Sequence, residues 1–370
     1  MRIVPLTDSL EGEVLARSIH TAGGQTLVAA GVTLTGPLIT ALKNRGLTRV
    51  AIRDWLLDDV EIDDAICEET RGQATRTVSA TLKRISSGQM ADIDQLTTVV
   101  DTIIKEVQSR PNAVFSLSAL RCHDDYTFVH SVNVCVLSAI TGLAVGHRRD
   151  QLVELGLGAM LHDLGKIRIP QRTLGKPGPL DEVEWKQVQN HPVEGYHLLV
   201  RHVGASYVAS HAALDHHERL NGSGYPRSVK GEDITLVGRL VAIADVYDAV
   251  TSDRAYRSRM PSNVAIQYLE STKGILFDAE LVDLFRQRIA LYPLGTVTRL
   301  NTGAVAVVIG NRASQQERPQ IRIITDEHLH LIPPRDLALV DHPELEITEV
   351  LEDYPPQVKR QLRLVQKVYV

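Results

Sequence analysis

Apolar positions recur along this chain in two rhythms, and the change from one to the other divides it. Near the N-terminus, short apolar and β-branched stretches alternate with turn residues. Residues 14–19, the pair Gly23-Gly24 and residues 25–28 read as two strands joined by a glycine turn. Thr35-Gly36-Pro37 opens a short helix with proline in its first turn, Gly46 closes it, and residues 49–53 form another strand. From about residue 70 the rhythm turns helical. Ile93, Leu96, Val99, Val100, Ile103, Ile104 and Val107 fall three and four apart, on one helix face that reads as a core face or a dimer seam, and Pro111 ends the run.

A longer helical region follows. Residues 127–145, 150–161, 181–189 and 235–252 predict helices; Gly165 is read as the stop after the second, and Pro192 suits the first turn of a helix beginning near His191. Residues 175–179 and 221–226 are loops by composition. After Tyr292-Pro293-Leu294-Gly295 the period returns to that of strands, at 296–300, 304–309 and 320–324. The fold class is therefore mainly α, with a helical core flanked by small β-rich modules. The expected domains are 1–70 (β-rich), 71–111 (helical linker or helical pair), 112–292 (helical core) and 293–370 (β-rich).

Composition narrows the function. At 370 residues the chain is too long for a single ordinary core. A formal net charge of -5 gives no general attraction to nucleic acid. The N-terminal residues lack a signal-peptide core, and no stretch is expected to span a bilayer, so a cytoplasmic protein without membrane or nucleic-acid partners is expected. Cys67, Cys122 and Cys135 show no metal-site spacing and read as reduced thiols. His20, His328, His330 and His342 read as surface residues.

The candidate chemistry sits in the helical core. His162-Asp163 lies between apolar residues at the end of a helical pattern, and burying an imidazole beside a carboxylate is costly unless the charges have a partner. His191, His216, His217 and Asp245 occupy similar helical settings, so four histidines and two aspartates make a mixed nitrogen and oxygen ligand set for two metal ions. Two divalent ions about 3.5–4 Å apart suit phosphodiester hydrolysis, because they acidify a water and clamp the phosphate oxygens. Asp163 suits a bridging position, since its two oxygens can each hold one ion. A donor set without thiolates favours iron or manganese, with zinc possible. Lys166 offers a point charge to a phosphate oxygen, while His130 fits a structural role as well as a metal or substrate contact.

These residues carry a resemblance. His162-Asp163-Leu-Gly-Lys166, His191-Pro192, His216-His217-Glu218-Arg219, Gly224-Tyr225-Pro226 and the run from Ile243 through Asp245 and Asp248 to Arg254 and Arg257 resemble the HD-GYP family of cyclic di-GMP phosphodiesterases, over roughly 117–291. The resemblance implies an all-helical HD-superfamily domain and allots the ligands. His162 and Asp245 would complete one ion's shell, and His191, His216 and His217 the other's. It implies substrate contacts at Lys166, Tyr225 and Arg254, with Asp248 nearby, and catalytic roles for Asp163 and Lys166. Some members carry a glutamate where this chain has Tyr126, and a phenol is a poor ligand at neutral pH, which favours two ions over three. The implied activity is hydrolysis of cyclic di-GMP to pGpG or GMP. A related hydrolase of another cyclic dinucleotide, and a non-catalytic sensor or a module docking a diguanylate cyclase (GGDEF) domain, are the rival readings. A homodimer is compatible with the apolar stripe.

Overall fold

The computed structural model describes every residue except 22–25, 62–63, 111–112, 116–125, 177, 254–258, 314 and 370, and leaves aside the side chains of 126 and 366–369. The chain opens with β1 (Arg2–Pro5), β2 (Ile19–His20) and β3 (Thr26–Val28), followed by α1 (Gly36–Asn44) and β4 (Arg49–Ile52). The Thr35 side chain accepts a hydrogen bond from the Leu38 amide and proline sits in the first turn, so α1 begins where the sequence signals it. β1 and β4 pair antiparallel, with Val4 opposite Val50. Residues 14 and 15 make only single bridges, and β2 and β3 are correspondingly short.

Next come α2 (Glu68–Ser86), α3 (Ile93–Gln108), α4 (Tyr126–Val145), α5 (Arg149–Met160), α6 (Gln171–Leu174), α7 (Glu182–Gln189), α8 (His191–Leu198), α9 (Tyr207–Asp215), α10 (Leu236–Thr251), α11 (Ser262–Thr272) and α12 (Ala279–Arg288). Helices α2 and α3, expected as a linker or a helical pair, pack with the helical core. The α3 stripe Leu96, Val99, Val100, Ile103, Ile104 and Val107 is buried with Val78 and Ile85 of α2 against Val132, Val136, Leu152 and Leu155. Each such side chain stabilises the fold by about 1.5–3 kcal/mol. Truncating Ile103 to alanine should cost about 2–5 kcal/mol.

The central helix is α4, which packs against α2, α3, α5, α10 and α12. One sequence expectation is corrected here, because residues 127–145 are long and apolar enough to cross a bilayer, yet 78% of the stretch lies buried inside the protein. A helix surrounded by five others is apolar all round, and length and composition alone do not separate that case from a span.

The C-terminal module is an antiparallel sheet of β5 (Val297–Leu300), β6 (Val305–Gly310), β7 (Gln320–Thr325), β8 (Leu331–Ala338) and β9 (Ile347–Leu351), ordered β8-β7-β6-β5-β9, and closed by α13 (Pro356–Tyr369). Alternate residues serve opposite faces, as the strand period requires. Val297, Val305, Val307 and Ile324 pack on Val358 and Leu362 of α13 and on Leu56 and Leu57 from the N-terminal module. Leu300, Ala306, Val308 and Ile321 fill the other side. The N-terminal module keeps a cluster of its own, from Val4 to Ile52, and Leu56 and Leu57 join it to the core of the C-terminal module.

Candidate metal centre

Five helical segments bring the polar residues together. α5 ends at Met160, and His162 and Asp163 occupy the turn before a short 3-10 segment, Leu164–Arg168. Gly165 lies inside that segment, so it is not the residue that stops α5. A Cβ there would stand 1.9 Å from the carbonyl oxygen of His191, so glycine is needed for the segment to press on α8. His191 starts α8, His216 and His217 close α9, Asp245 stands in α10 and His130 in α4.

Backbone carbonyls orient three of the rings. Nδ1 of His162, His191 and His216 lies 2.8, 2.6 and 2.8 Å from the carbonyl oxygens of Ala159, Val188 and Ala213. A carbonyl only accepts, so Nδ1 must donate, and Nε2 is the ring atom aimed inward, with a lone pair in the neutral form of the ring. Nε2 of His191 and Nε2 of His216 then face one another at 3.3 Å. His162 Nε2 and Asp163 Oδ1 are buried with no hydrogen-bond partner.

The two Asp163 oxygens address different neighbours. Oδ1 lies 3.3 Å from His191 Nε2 and 3.7 Å from His216 Nε2. Oδ2 lies 3.5 Å from His162 Nε2, 3.7 Å from His130 Nε2 and 2.5 Å from Lys166 Nζ. Burial pushes the Asp163 carboxyl up, but Lys166 and His162 outweigh it and hold it well below the usual range. Asp245 is likewise pushed up by burial and pulled well below the usual range by His130. Burial holds His216 and His217 well below the ordinary imidazole value, so both rings are neutral at pH 7. Neutral imidazoles and carboxylates crowded together are acceptors facing acceptors, and burying them unpaired costs about 1–3 kcal/mol per group. A cation removes the conflict.

Ligand atoms of Asp163, His191, His216 and His217 lie within 4.8 Å of one another, as do those of His130, His162 and Asp245. These sets fit divalent ions by donor chemistry and by the orphaned atoms. His130 thereby joins His162 and Asp245, and its ring also contacts Asp248, with Nδ1 2.7 Å from Asp248 Oδ2.

Among the described residues the centre is reached by solvent mainly beside Lys166 and His217. His162, His191 and His216 side chains are fully buried, whereas Lys166 is 33% and His217 19% exposed. Tyr225 packs beside that opening, its ring 4.6 Å from the His217 ring, with Trp185 of α7 at 6.1 Å on its outer side. Asp248 is 2% exposed, and its Oδ1 accepts from Asn133 Nδ2 at 2.8 Å while Oδ2 meets His130. Arg254 and the Tyr126 side chain lie outside the described residues.

Sequence reasoning missed the anchors of the tyrosine loop. Buried Glu218 accepts the Arg227 amide at 2.7 Å, and buried Asp215 binds the Arg227 side chain at 2.6 Å and the Thr235 hydroxyl at 2.7 Å. Gly224 lets the loop lie on the end of α9, since a Cβ there would be 2.4 Å from the His217 carbonyl oxygen. An acidic residue in the last turn of a helix opposes the helix dipole, and Asp215 carried that signal.

Comparison with known proteins places this geometry. Residues 101–281 match the family model of an HD domain, and residues 297–353 that of a KOW domain associated with HD domain. A cyclic di-GMP phosphodiesterase of Pseudomonas aeruginosa is 34% identical over 251 residues, 68% of this chain and 60% of the relative. The chain belongs to the HD-GYP branch of the HD-domain family. The 3'3'-cGAMP-specific phosphodiesterase 3 of Vibrio cholerae is 34% identical over 168 residues, 45% of this chain and 36% of the relative. A solved HDG"Y"P protein from Bdellovibrio bacteriovorus aligns with a TM-score of 0.46 and 15% identity, covering 76% of this chain and 97% of that one. The chain spans 60% and 36% of the length of the two curated relatives described.

Proposed function

We propose that this HD-GYP chain is a metal-dependent phosphodiesterase that opens cyclic di-GMP to pGpG or GMP. The observation that carries the proposal is the division of Asp163, whose two oxygens face the two separate ligand sets. One set is Asp163, His191, His216 and His217, and the other is His130, His162 and Asp245, with Asp163 Oδ2 at its edge. When bound, two divalent ions supply an acidified water and charge neutralisation for the phosphate; iron or manganese suits the donors best.

The chain's own residues supply binding and order. Lys166, now paired with Asp163, sits at the opening and is suited to neutralise a non-bridging phosphate oxygen. Tyr225 is held beside the centre by the Glu218 and Asp215 anchors, and its phenol, pushed up by burial, stays protonated and able to donate. The buried flank of His162, His191 and His216 limits water to the Lys166 side.

A second reading is hydrolysis of a mixed cyclic dinucleotide, favoured by the identity to the Vibrio cholerae cGAMP-specific enzyme. The test is a chromatographic time course with Fe(II), handled without oxygen, and with Mn(II), on cyclic di-GMP and 3'3'-cGAMP side by side. The proposal expects faster turnover of cyclic di-GMP. Preference for 3'3'-cGAMP would move the assignment to the second reading, and tight binding without turnover in metal-loaded protein would make the chain a sensor.

A further inference from the structure

A line of hydrogen bonds, part-buried at Arg71 and buried beyond it, runs from outside the matched HD region to the metal centre. Arg71, in the first turn of α2, donates from its Nη1 to Asn133 Oδ1 at 2.7 Å. Asn133, on α4, donates from Nδ2 to Asp248 Oδ1 at 2.8 Å. Asp248 Oδ2 meets His130 Nδ1 at 2.7 Å, and His130 Nε2 points at Asp245 Oδ1, 3.2 Å away. Asn133, Asp248 and His130 are all at most 2% exposed. α2 begins at Glu68, well before residue 101, where the HD match starts.

The polarity of this line follows from one end. A guanidinium only donates, so the Asn133 oxygen must face Arg71 and its amide NH2 must face Asp248. The Asp248 carboxylate only accepts, so His130 Nδ1 must carry a hydrogen towards it. Nε2 is thereby aimed at the centre. Such an outer hydrogen bond fixes a ligating imidazole's tautomer and ring orientation, and its loss typically costs about 10–100-fold in metal affinity.

We propose that Arg71 is a positioning residue for the metal centre, setting through Asn133 and Asp248 the orientation of His130 in the set His130, His162 and Asp245. The inference rests on the proposed metal-dependent function. It makes α2, the helix that follows the N-terminal module, a determinant of one ion's affinity and not of the other's. Asp163, His191, His216 and His217 have no hydrogen bond to the relay from Arg71 to Asp248 among the described residues.

The test titrates Mn(II) into the metal-free full chain and follows the free ion by electron paramagnetic resonance. Wild type should take up two equivalents. Arg71→Met should weaken one equivalent about 10–100-fold and leave the other unchanged, while Arg71→Lys, which keeps a donor-only cation, should stay closer to wild type. Asn133→Asp, nearly isosteric, breaks the next link and should weaken the same equivalent, which keeps the inference testable if Arg71→Met does not fold. Equal weakening of both equivalents, or no weakening in folded variants, would overturn the role of Arg71. A wild-type chain that binds no Mn(II) would instead remove the functional proposal beneath it.

Discussion

Two buried polar clusters in this protein have opposite internal logic. At the seam of the terminal modules, Arg2 donates to Asp54 and Asp353 and lies over the Tyr354 ring, 3.8 Å from its centroid. The Tyr354 hydroxyl donates to Asp54 at 2.9 Å, and Lys359 pairs with Asp353. None of the polar side-chain atoms of Arg2, Asp54, Asp353 and Tyr354 is among the buried atoms left without a partner. In the centre of the HD domain, by contrast, Nε2 of His191 and Nε2 of His216 face one another at 3.3 Å, and His162 Nε2 and Asp163 Oδ1 have no partner. A satisfied cluster holds modules together; an unsatisfied one is arranged for something that is not protein. Burial and polarity do not distinguish the two clusters, but the donor and acceptor inventory does.

The contrast breaks most severely at Asp163. Asp163→Ala should abolish uptake of both ions and reduce hydrolysis to background, read by metal analysis beside the chromatographic assay. At the other cluster, Asp54→Ala leaves the Arg2 charge buried and short of a partner and should destabilise the chain by about 3–5 kcal/mol in denaturant unfolding, with metal content unchanged. Lys166→Ala is expected to keep both ions and slow turnover about 10²–10³-fold, the usual scale for losing one group aimed at developing charge. Metal loss in Asp54→Ala, or in Lys166→Ala, would erase the distinction drawn here.

Acid supplies the gentlest probe. Burial pushes the Asp353 carboxyl up, but Arg2 and Lys359 outweigh it, so its value in the folded chain is depressed. A depressed carboxyl contributes stability that is complete above its unfolded value, near 3.9, and is lost as pH falls through the lower folded value. Thermal midpoints should therefore show an acid loss below about pH 4 that is smaller in Asp353→Asn.

Much of the fold was legible because local rules govern it. Thr35, Asp181 and Thr235 cap the helices they precede, and the α3 stripe is buried as its spacing indicates. β8 was not legible: it carries Pro333 and Pro334 and survives only as the sheet's edge, where a missing backbone donor costs no ladder bond. α13 was missed although Val358, Leu362 and Val365 fall at helical spacing; among its described side chains Val358 and Leu362 reach the core.

In the site, the residue types and their helical settings were legible, and spacing could not reveal who touches whom. Asn133 meets Arg71 and Asp248 across separations of 62 and 115 residues, so no local pattern marks it. Asp248 meets His130 across 118 residues, and an aspartate three residues after Asp245 gives no sign that the helix turns it towards that ring. Gly165 looked like a helix stop because glycine commonly serves there, whereas its constraint comes from α8, far along the chain.

Anomalous diffraction from crystals grown with Mn(II) tests the central claim most directly. The account predicts two peaks on either side of Asp163, one among Oδ1, His191, His216 and His217, the other among Oδ2, His130, His162 and Asp245. A folded chain whose Mn(II) sits only on surface carboxylates, with nothing beside Asp163, would contradict it.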